Sequence, residues 1–163
     1  MSPERTEPET WLKSAEDDFA VIQILKEAKC WSHGCYFACL SVEKFGKYLL
    51  LAKGGEEEAV KPLGHELRTI WERVKALYGK SNQLADLRKE LYHMSEYSNK
   101  GGNVSYRYPA RGHTPSERFT RTDLETHLKI ATLARDLATT AKSASRQATL
   151  FQSLWCKLLS RRS

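Results

Sequence analysis

Three charged side chains on an otherwise apolar segment are the first candidates for chemistry in this sequence. Residues 32–53 are rich in Leu, Phe, Tyr, Val and Cys, and among them stand Glu43, Lys44 and Lys47. If the segment is a helix, the spacing i, i+1, i+4 puts all three charges on one side. Because an unpaired charge is costly to bury, these side chains need either one another or a ligand. Two interpretations remain open, an internal network of ion pairs and a site for an anion.

A second set of such residues lies in residues 98–121, which have no helical periodicity and contain two adjacent glycines and two prolines. One acidic residue, Glu117, stands against five basic ones: Lys100, Arg107, Arg111, Arg118 and Arg121. Arginine binds phosphate through two parallel hydrogen bonds, and the rings of Tyr106 and Tyr108 can stack on a base. We expect a long basic loop that contacts a polyanion. A solvated basic loop without a ligand is the alternative.

The net charge of +6 is unevenly distributed along the 163 residues. Residues 1–97 contain 14 Lys/Arg and 16 Asp/Glu, whereas residues 98–163 contain 12 Lys/Arg and 4 Asp/Glu, a net charge of +8 for the second part. A local excess of this kind favours nucleic acid, nucleotide phosphates or an acidic protein surface as partner.

Several classes of protein are not expected. The apolar runs are short, as in the five residues Tyr48–Ala52, whereas a membrane span needs about 20, and no signal peptide is recognisable. We therefore predict a cytoplasmic protein without membrane contact. The four cysteines have no paired spacing, so Cys35 and Cys39 are expected to be buried thiols rather than zinc ligands. The phosphate-loop, HExxH, CxxC and GxSxG motifs are missing, and we expect no metal and no cofactor.

The spacing of the apolar residues predicts four helices before the basic loop. They span about residues 6–29, 32–53, 65–78 and 83–97. Thr6 with Glu9 is the predicted N-terminal cap of the first helix, and Ser32 is the predicted cap of the second. The second helix is apolar on almost every face, so we expect it at the centre of the bundle.

Two expectations concern the faces of these helices. On the first helix, Glu16, Asp17 and Asp18 are predicted to form a solvated acidic face. On the third helix, Leu77 is predicted to point inward with the other apolar residues of its stripe.

The last helix is predicted to begin at a capping box formed by Thr122 and Glu125. From Ile130 to Leu158 its apolar residues alternate in steps of four and three, which is typical of a coiled-coil seam. A break is predicted at residues 143–145, and residues 144–163 are expected to be a basic amphipathic helical extension of the same domain. Two such extensions can pair about a two-fold axis, so we expect a homodimer. The alternative is a tail that folds back on its own bundle.

Four short patterns, in this order, resemble the HEPN family of small helical domains. They are Ala-x-Asp-Asp at 15–18, Glu-Lys-x-x-Lys at 43–47, His-x-Leu at 65–67 and Tyr-Arg-Tyr-Pro at 106–109. Family members often carry Gln before the Glu-Lys pair, where this chain has Leu40-Ser41. The resemblance implies an all-α fold, an antiparallel up-and-down bundle of four to five helices with the long basic loop before the last helix, and frequent dimerisation. Residues 1–143 would form the HEPN-like bundle.

The resemblance also implies one of two activities. Some HEPN domains are binding modules beside a minimal nucleotidyltransferase. Others are metal-independent ribonucleases built on Arg-x(4–6)-His, where the histidine would assist attack by the RNA 2′-hydroxyl and the arginine would hold the phosphate. This spacing occurs three times, in Arg88/His93, Arg107/His113 and Arg121/His127. Chance alone gives about one such match in a chain with this many Arg and His residues, so the motif by itself does not decide.

From the sequence we expect a non-catalytic module that binds a nucleotide or RNA through phosphate and acts with a nucleotidyltransferase-like partner, as in a toxin–antitoxin pair. The alternatives are a metal-independent HEPN ribonuclease toxin and a bundle that only binds proteins. If the protein is catalytic, the candidate residues are Arg88, His93, Arg121 and His127. The expected phosphate-binding cleft is lined by Arg107, Tyr108, Lys44, Lys47, His65 and Glu43.

Overall fold

A computed structural model describes residues 7–55, 60, 63–79, 81–98 and 113–159, without the side chains of 92, 93, 95–98, 146 and 148–159. The six regular elements in these ranges are all helices. They are α1 (Pro8–Glu27), α2 (Trp31–Ala52), α3 (Leu67–Tyr78), α4 (Asn82–Ser98), α5 (Pro115–Arg118) and α6 (Arg121–Leu159). The predicted all-α class is thereby confirmed.

Helix α2 is the centre of the bundle, as its apolar composition predicted. Fifteen of its 22 residues are buried, and α1, α3 and α6 all pack against it. Helix α4 closes the bundle by packing between α3 and α6. The result is the expected antiparallel up-and-down arrangement, in which the charged residues of α2 cannot avoid contact with neighbouring helices. Within the described ranges, none of the helices combines the length and apolarity that crossing a membrane would require.

The turn between α1 and α2 is tighter than predicted, and the predicted cap is wrong. The N-cap of α2 is Cys30, whereas Ser32 lies inside the helix and is buried. Lys29 has φ = 57°, the left-handed conformation that ends α1. The N-cap of α1 is Glu7, followed by Pro8 at the first helical position, so the predicted cap at Thr6 is also wrong.

The capping residue of α6 lies two residues before the predicted one. The backbone N–H and the hydroxyl of Thr120 both donate to Asp123 Oδ2 at 2.7 Å, and the backbone N–H of Asp123 donates to Thr120 Oγ1 at 3.3 Å. This reciprocal arrangement satisfies the first N–H groups of the helix. The predicted box of Thr122 and Glu125 is therefore wrong, and Glu125 instead forms an ion pair with Arg121 at 2.8 Å.

The predicted break at residues 143–145 is also wrong, because α6 is one continuous helix of 39 residues. Its hydroxyl side chains are satisfied within the helix: Ser143 Oγ donates to the carbonyl of Thr139 at 3.0 Å, and Thr140 Oγ1 donates to that of Asp136 at 2.9 Å. Both hydroxyl groups bond to the carbonyl four residues earlier, so they find partners without ending the helix. The helix is about 58 Å long at 1.5 Å per residue, and the chain does not fold back at this point.

The segment predicted to be a loop before the last helix contains the single turn α5. Thr114 caps it through a reciprocal box, in which the backbone N–H of Thr114 donates to Glu117 Oε2 at 2.7 Å. The hydrogen bonds from the backbone and hydroxyl of Thr114 hold the pKa of the Glu117 carboxyl below its ordinary value. Phe119, which follows α5, is buried and ties this end of the segment to the core. The prediction that the whole segment lacks helix is wrong at α5, and residues 99–112 lie outside the described residues.

Two predicted faces differ from the structure. On α1, Glu16 pairs with Arg135 of α6 at 2.8 Å and Asp18 pairs with Lys44 of α2, so the acidic face is largely engaged by neighbouring helices rather than solvated. Leu77 is 50% exposed, so its predicted inward orientation is wrong. The next residue, Tyr78, makes the contact with α2 instead.

Tyr78 provides a test of the packing of α3 on α2. Its hydroxyl donates to the carbonyl of Leu49 at 3.0 Å, and partial burial, with a smaller contribution from Tyr48, raises the pKa of Tyr78 to about 12. Because this pKa lies above the ordinary value of about 10, the contribution of the phenol to stability is complete below pH 10 and is lost as the pH rises from 10 to 12.

We expect Tyr78→Phe to lower the free energy of unfolding at pH 7 by about 1 kcal/mol through the lost hydrogen bond. Between pH 10 and 12 the variant should lose about 1–2 kcal/mol less than the wild type, after allowance for solvent screening at this partly exposed site. Urea unfolding at a series of pH values measures both effects. Parallel pH profiles for the two proteins would contradict the burial of this phenol.

Candidate functional site

The charged residues of α2 face α1, and two of them form a buried ion pair. Lys47 Nζ donates to Glu43 Oε1 at 2.6 Å, and the two side chains are only 7% and 5% exposed. The same ammonium group lies 5.0 Å from the ring centroid of Trp11 in α1, a cation–π contact. Both the carboxylate and the ring thus stabilise a charge that would be costly to bury alone.

The second oxygen of Glu43 connects this buried pair to the surface. His65, which lies in the turn before α3, has its Nδ1 2.7 Å from Glu43 Oε2, and its side chain is 63% exposed. A carboxylate can only accept a hydrogen bond, so Nδ1 carries the proton and donates. The ring orientation is therefore set from the protein interior, and Nε2, the other polar atom of this exposed ring, forms no hydrogen bond with the residues that the structure describes.

Lys44 is paired with α1 separately. Its Nζ lies 2.6 Å from Asp18 Oδ2 and 2.9 Å from Ser14 Oγ, with both charged side chains mostly buried. Both lysines are thus neutralised by carboxylates, as the ion-pair interpretation expects. We call the six side chains the α1–α2 charge cluster: Ser14, Asp18, Glu43, Lys44, Lys47 and His65. Within it, His65 is the group that an incoming ligand meets first.

Four of the six residues predicted to bind phosphate are brought together in this cluster. They are Glu43, Lys44, Lys47 and His65. The other two, Arg107 and Tyr108, lie outside the described residues.

The candidate pair Arg121 and His127 is not brought to one surface. The Arg121 side chain is 71% exposed and is paired with Glu125. His127 is 2% exposed, and its Nδ1 donates to the carbonyl of Asp123 at 2.8 Å. A phosphate group in contact with the arginine would therefore have no access to the buried imidazole in this conformation.

The candidate pair Arg88 and His93 is described only in part. Arg88 Nε donates to Glu72 Oε1 at 3.1 Å, and a second guanidinium nitrogen contacts the same oxygen. This pair joins α3 to α4. His93 belongs to α4, but its side chain lies outside the described residues.

The fold agrees with what comparisons with known proteins find. The sequence profile of the HEPN domain matches residues 8–139. The chain belongs to the HEPN family. No curated protein matches it.

Two solved structures resemble this HEPN domain. TT1696 from Thermus thermophilus superimposes with a TM-score of 0.68 at 18% identity, covering 82% of this chain and 97% of that one. ST0689, described as an archaeal HEPN homologue, gives a TM-score of 0.61 at 19% identity and covers 83% of this chain and 97% of its own. At these identities the likeness is one of fold.

Three residues of the HEPN domain that contact the lysines of the cluster were not among the site residues predicted from the sequence. Asp18 and Ser14 hold Lys44, and Trp11 lies against Lys47. Asp18 was visible in the sequence as part of the Ala-x-Asp-Asp pattern, but its partner lies 26 residues further along the chain. Nothing in local spacing indicates such a pairing.

The cysteines of this HEPN domain are not arranged for chemistry in the described part of the chain. Cys35 and Cys39 are buried thiols, Cys30 is an exposed one, and none of the three forms a disulfide. Burial, reinforced by Cys39 and Asp123, raises the pKa of Cys35 far above its ordinary value, so this thiol stays protonated and unreactive. Among the described residues no three His, Cys, Asp or Glu side chains are grouped as metal ligands.

Proposed function

We propose that this HEPN domain is a non-catalytic module that binds a nucleotide or RNA and acts with a nucleotidyltransferase-like partner in the cytoplasm, as in a toxin–antitoxin pair. The observation that carries the proposal is the contact between His65 and the buried carboxylate of Glu43. An exposed imidazole oriented from the interior by a buried ion pair is preorganised for a ligand, because the cost of ordering the side chain has already been met during folding.

We assign the contacts with the ligand to side chains other than the lysines that are already held in ion pairs within the protein. Lys44 and Lys47 are held by Asp18 and Glu43, so we assign them the role of positioning the cluster. His65 can accept from a ribose hydroxyl through Nε2, and when the ring is protonated it can donate to phosphate. Direct phosphate contact is assigned to Arg107, and base stacking is assigned to Tyr108. The net charge of +8 in residues 98–163 favours an anionic ligand of this kind.

The runner-up is a metal-independent endoribonuclease. The specific observation in its favour is again the carboxylate–histidine contact, since a general base needs an oriented, accessible imidazole nitrogen. Against it, His127 is buried away from Arg121, which removes one of the three Arg/His pairs as a ready active site. We further propose that the protein is a homodimer, which the unbroken course of α6 supports because both tails can extend one seam.

One experiment addresses binding and catalysis together. Full-length protein is titrated at moderate salt with a labelled single-stranded RNA and, separately, with ATP. We expect His65→Gln and Arg107→Ala each to weaken binding by about 1–3 kcal/mol, the range for a hydrogen bond to a charged group. The control is His33→Gln, which alters an exposed histidine in the first turn of α2. The RNA recovered from the titration should be intact.

Two outcomes would overturn this proposal. If neither RNA nor ATP binds, the domain is not a nucleotide-binding module. If the wild type cleaves RNA in the presence of EDTA and His65→Gln abolishes the cleavage, the ribonuclease replaces the binding module as the function of this site.

A further inference from the structure

A cavity of about 500 Å³ lies on the side of α2 away from the charge cluster. It opens to solvent and is lined by the C-terminal ends of α2 and α3, the start of α4 and the middle of α6. Its apolar lining comes from Leu49, Val74, Leu84, Leu137 and Ala141. We call it the α2–α6 cavity. Its volume falls within the range of about 300–1,000 Å³ that small-molecule sites occupy.

Lys53 is the charged residue among those that line the cavity, and its surroundings differ from those of the other polar groups. The hydroxyl of Tyr78 donates to the Leu49 carbonyl, and Thr140 Oγ1 donates to that of Asp136. Ser81 Oγ accepts from the backbone N–H of Leu84. Lys53 is different, because its ammonium group lies 5.0 Å from the centroid of the Tyr78 ring and forms no ion pair in the part of the chain that the structure describes.

We propose that the α2–α6 cavity binds a small amphipathic monocarboxylate, with its apolar body among the leucines and its carboxylate on Lys53. An apolar body of about eight carbons suits the leucine, valine and alanine side chains of the lining, and it needs no hydrogen bonds. A carboxylate supplies a counter-charge for Lys53, whose ammonium group has no ion-pair partner among the described residues, and the Tyr78 ring beside the ammonium group holds it at the rim.

Charge also decides against a second copy of this chain as the occupant. The sequence after residue 141 contains Lys142, Arg146, Lys157, Arg161 and Arg162 and no acidic residue. A second tail with this charge would bring cations towards the ammonium group of Lys53, and like charges brought together in the cavity would repel. The cavity is also separate from the proposed nucleotide site, because Glu43 and Lys47 face α1 whereas Leu49 and Lys53 line the cavity.

Three probes with the same eight-carbon alkyl chain and different head groups test the proposal: octanoate, octan-1-ol and octylammonium. Each is titrated into the full-length protein by calorimetry. For octanoate we expect a Kd on the order of 0.1–1 mM, since about ten non-hydrogen atoms support only modest affinity. Octan-1-ol should bind about tenfold more weakly, and octylammonium should not bind. Lys53→Gln should raise the Kd of octanoate about tenfold and leave that of octan-1-ol unchanged.

A second experiment fills the cavity with a larger side chain. Ala141→Phe should abolish binding of both octanoate and octan-1-ol. If that variant does not fold, as judged by circular dichroism, Ala144→Leu places a smaller obstruction at an exposed position of the lining and should raise both Kd values. Absence of octanoate binding, equal binding by Lys53→Gln, or unchanged binding by the filled variants would each overturn the proposal. If octanoate does not bind and Ala141→Phe converts a dimer to a monomer in sedimentation, the cavity is instead a contact between copies of the chain.

Discussion

Glu43→Leu should lower the free energy of unfolding by about 3–5 kcal/mol, the largest effect we expect from a single substitution in the charge cluster. Leucine has a volume close to that of glutamate, so little space is opened. The cost comes from Lys47, whose ammonium group would stay in a site that is 7% exposed with only the Trp11 ring beside it. His65 would lose its carboxylate partner as well. Urea unfolding at pH 7 measures the difference.

A double variant separates the cost of an unpaired charge from loss of packing. Glu43→Leu with Lys47→Met removes both charges while keeping the volume, and its stability should return to within about 1 kcal/mol of the wild type. Asp17→Asn is the surface control, since the Lys13–Asp17 pair is 78% and 65% exposed and should contribute no more than about 0.5 kcal/mol. A loss of less than about 1 kcal/mol in Glu43→Leu would mean that Lys47 reaches solvent freely.

Gly46→Val should lower the free energy of unfolding by about 3 kcal/mol, since α3 approaches α2 at this residue. A Cβ atom at Gly46 would lie 2.5 Å from Ile70 Cγ2 and 3.3 Å from the indole ring of Trp71. Ile70 is β-branched and held in one rotamer by its helix, and Trp71 is 1% exposed, so neither can move aside easily. The overpacking exceeds the gain of about 1 kcal/mol that replacing a helical glycine otherwise brings.

Gly34→Ala is the matched control within the same helix. Its Cβ atom would lie 2.7 Å and 2.9 Å from the two terminal methyl groups of Leu124. These are the far end of a flexible side chain, which can change rotamer, so the net effect should stay within about 1 kcal/mol. Thermal unfolding of Gly46→Val tests the prediction, and Gly46→Ala beside Gly34→Ala compares the same substitution at the two glycines. Equal costs at the two positions would show that α3 does not approach α2 more closely than α6 does.

The long helices could be predicted from the sequence, whereas the residues that cap them could not. The apolar faces of α2 and the stripe of α4 identified the bundle and its central helix, because burial of apolar surface depends on periodicity that the sequence displays. The caps were misplaced by two residues, since Ser32 and Thr122 have the side chains of caps but lie within the first turn of a helix. Choosing among neighbouring candidates depends on the path of the incoming chain, as the left-handed Lys29 illustrates.

The charge cluster was predictable only in outline. Three charges on a buried helix had to find partners, and the Glu43–Lys47 pair follows from i, i+4 spacing. The partner of Lys44 did not follow, because Asp18 belongs to another helix and was assigned to a solvated face. The contact between His65 and Glu43 depends on how the turn before α3 returns to α2, which the sequence pattern suggested only through resemblance to the HEPN family.

The position of α2 between the first and the last long helices has a consequence for synthesis on the ribosome. Helices α1 and α2 are joined by a short turn and can pair as soon as both have emerged. The opposite side of α2, against which Leu124 and the rest of α6 pack, has no cover until the C-terminal part of the chain is made. A nascent or prematurely terminated chain that ends before α6 therefore presents an apolar helix surface to the surrounding chaperones.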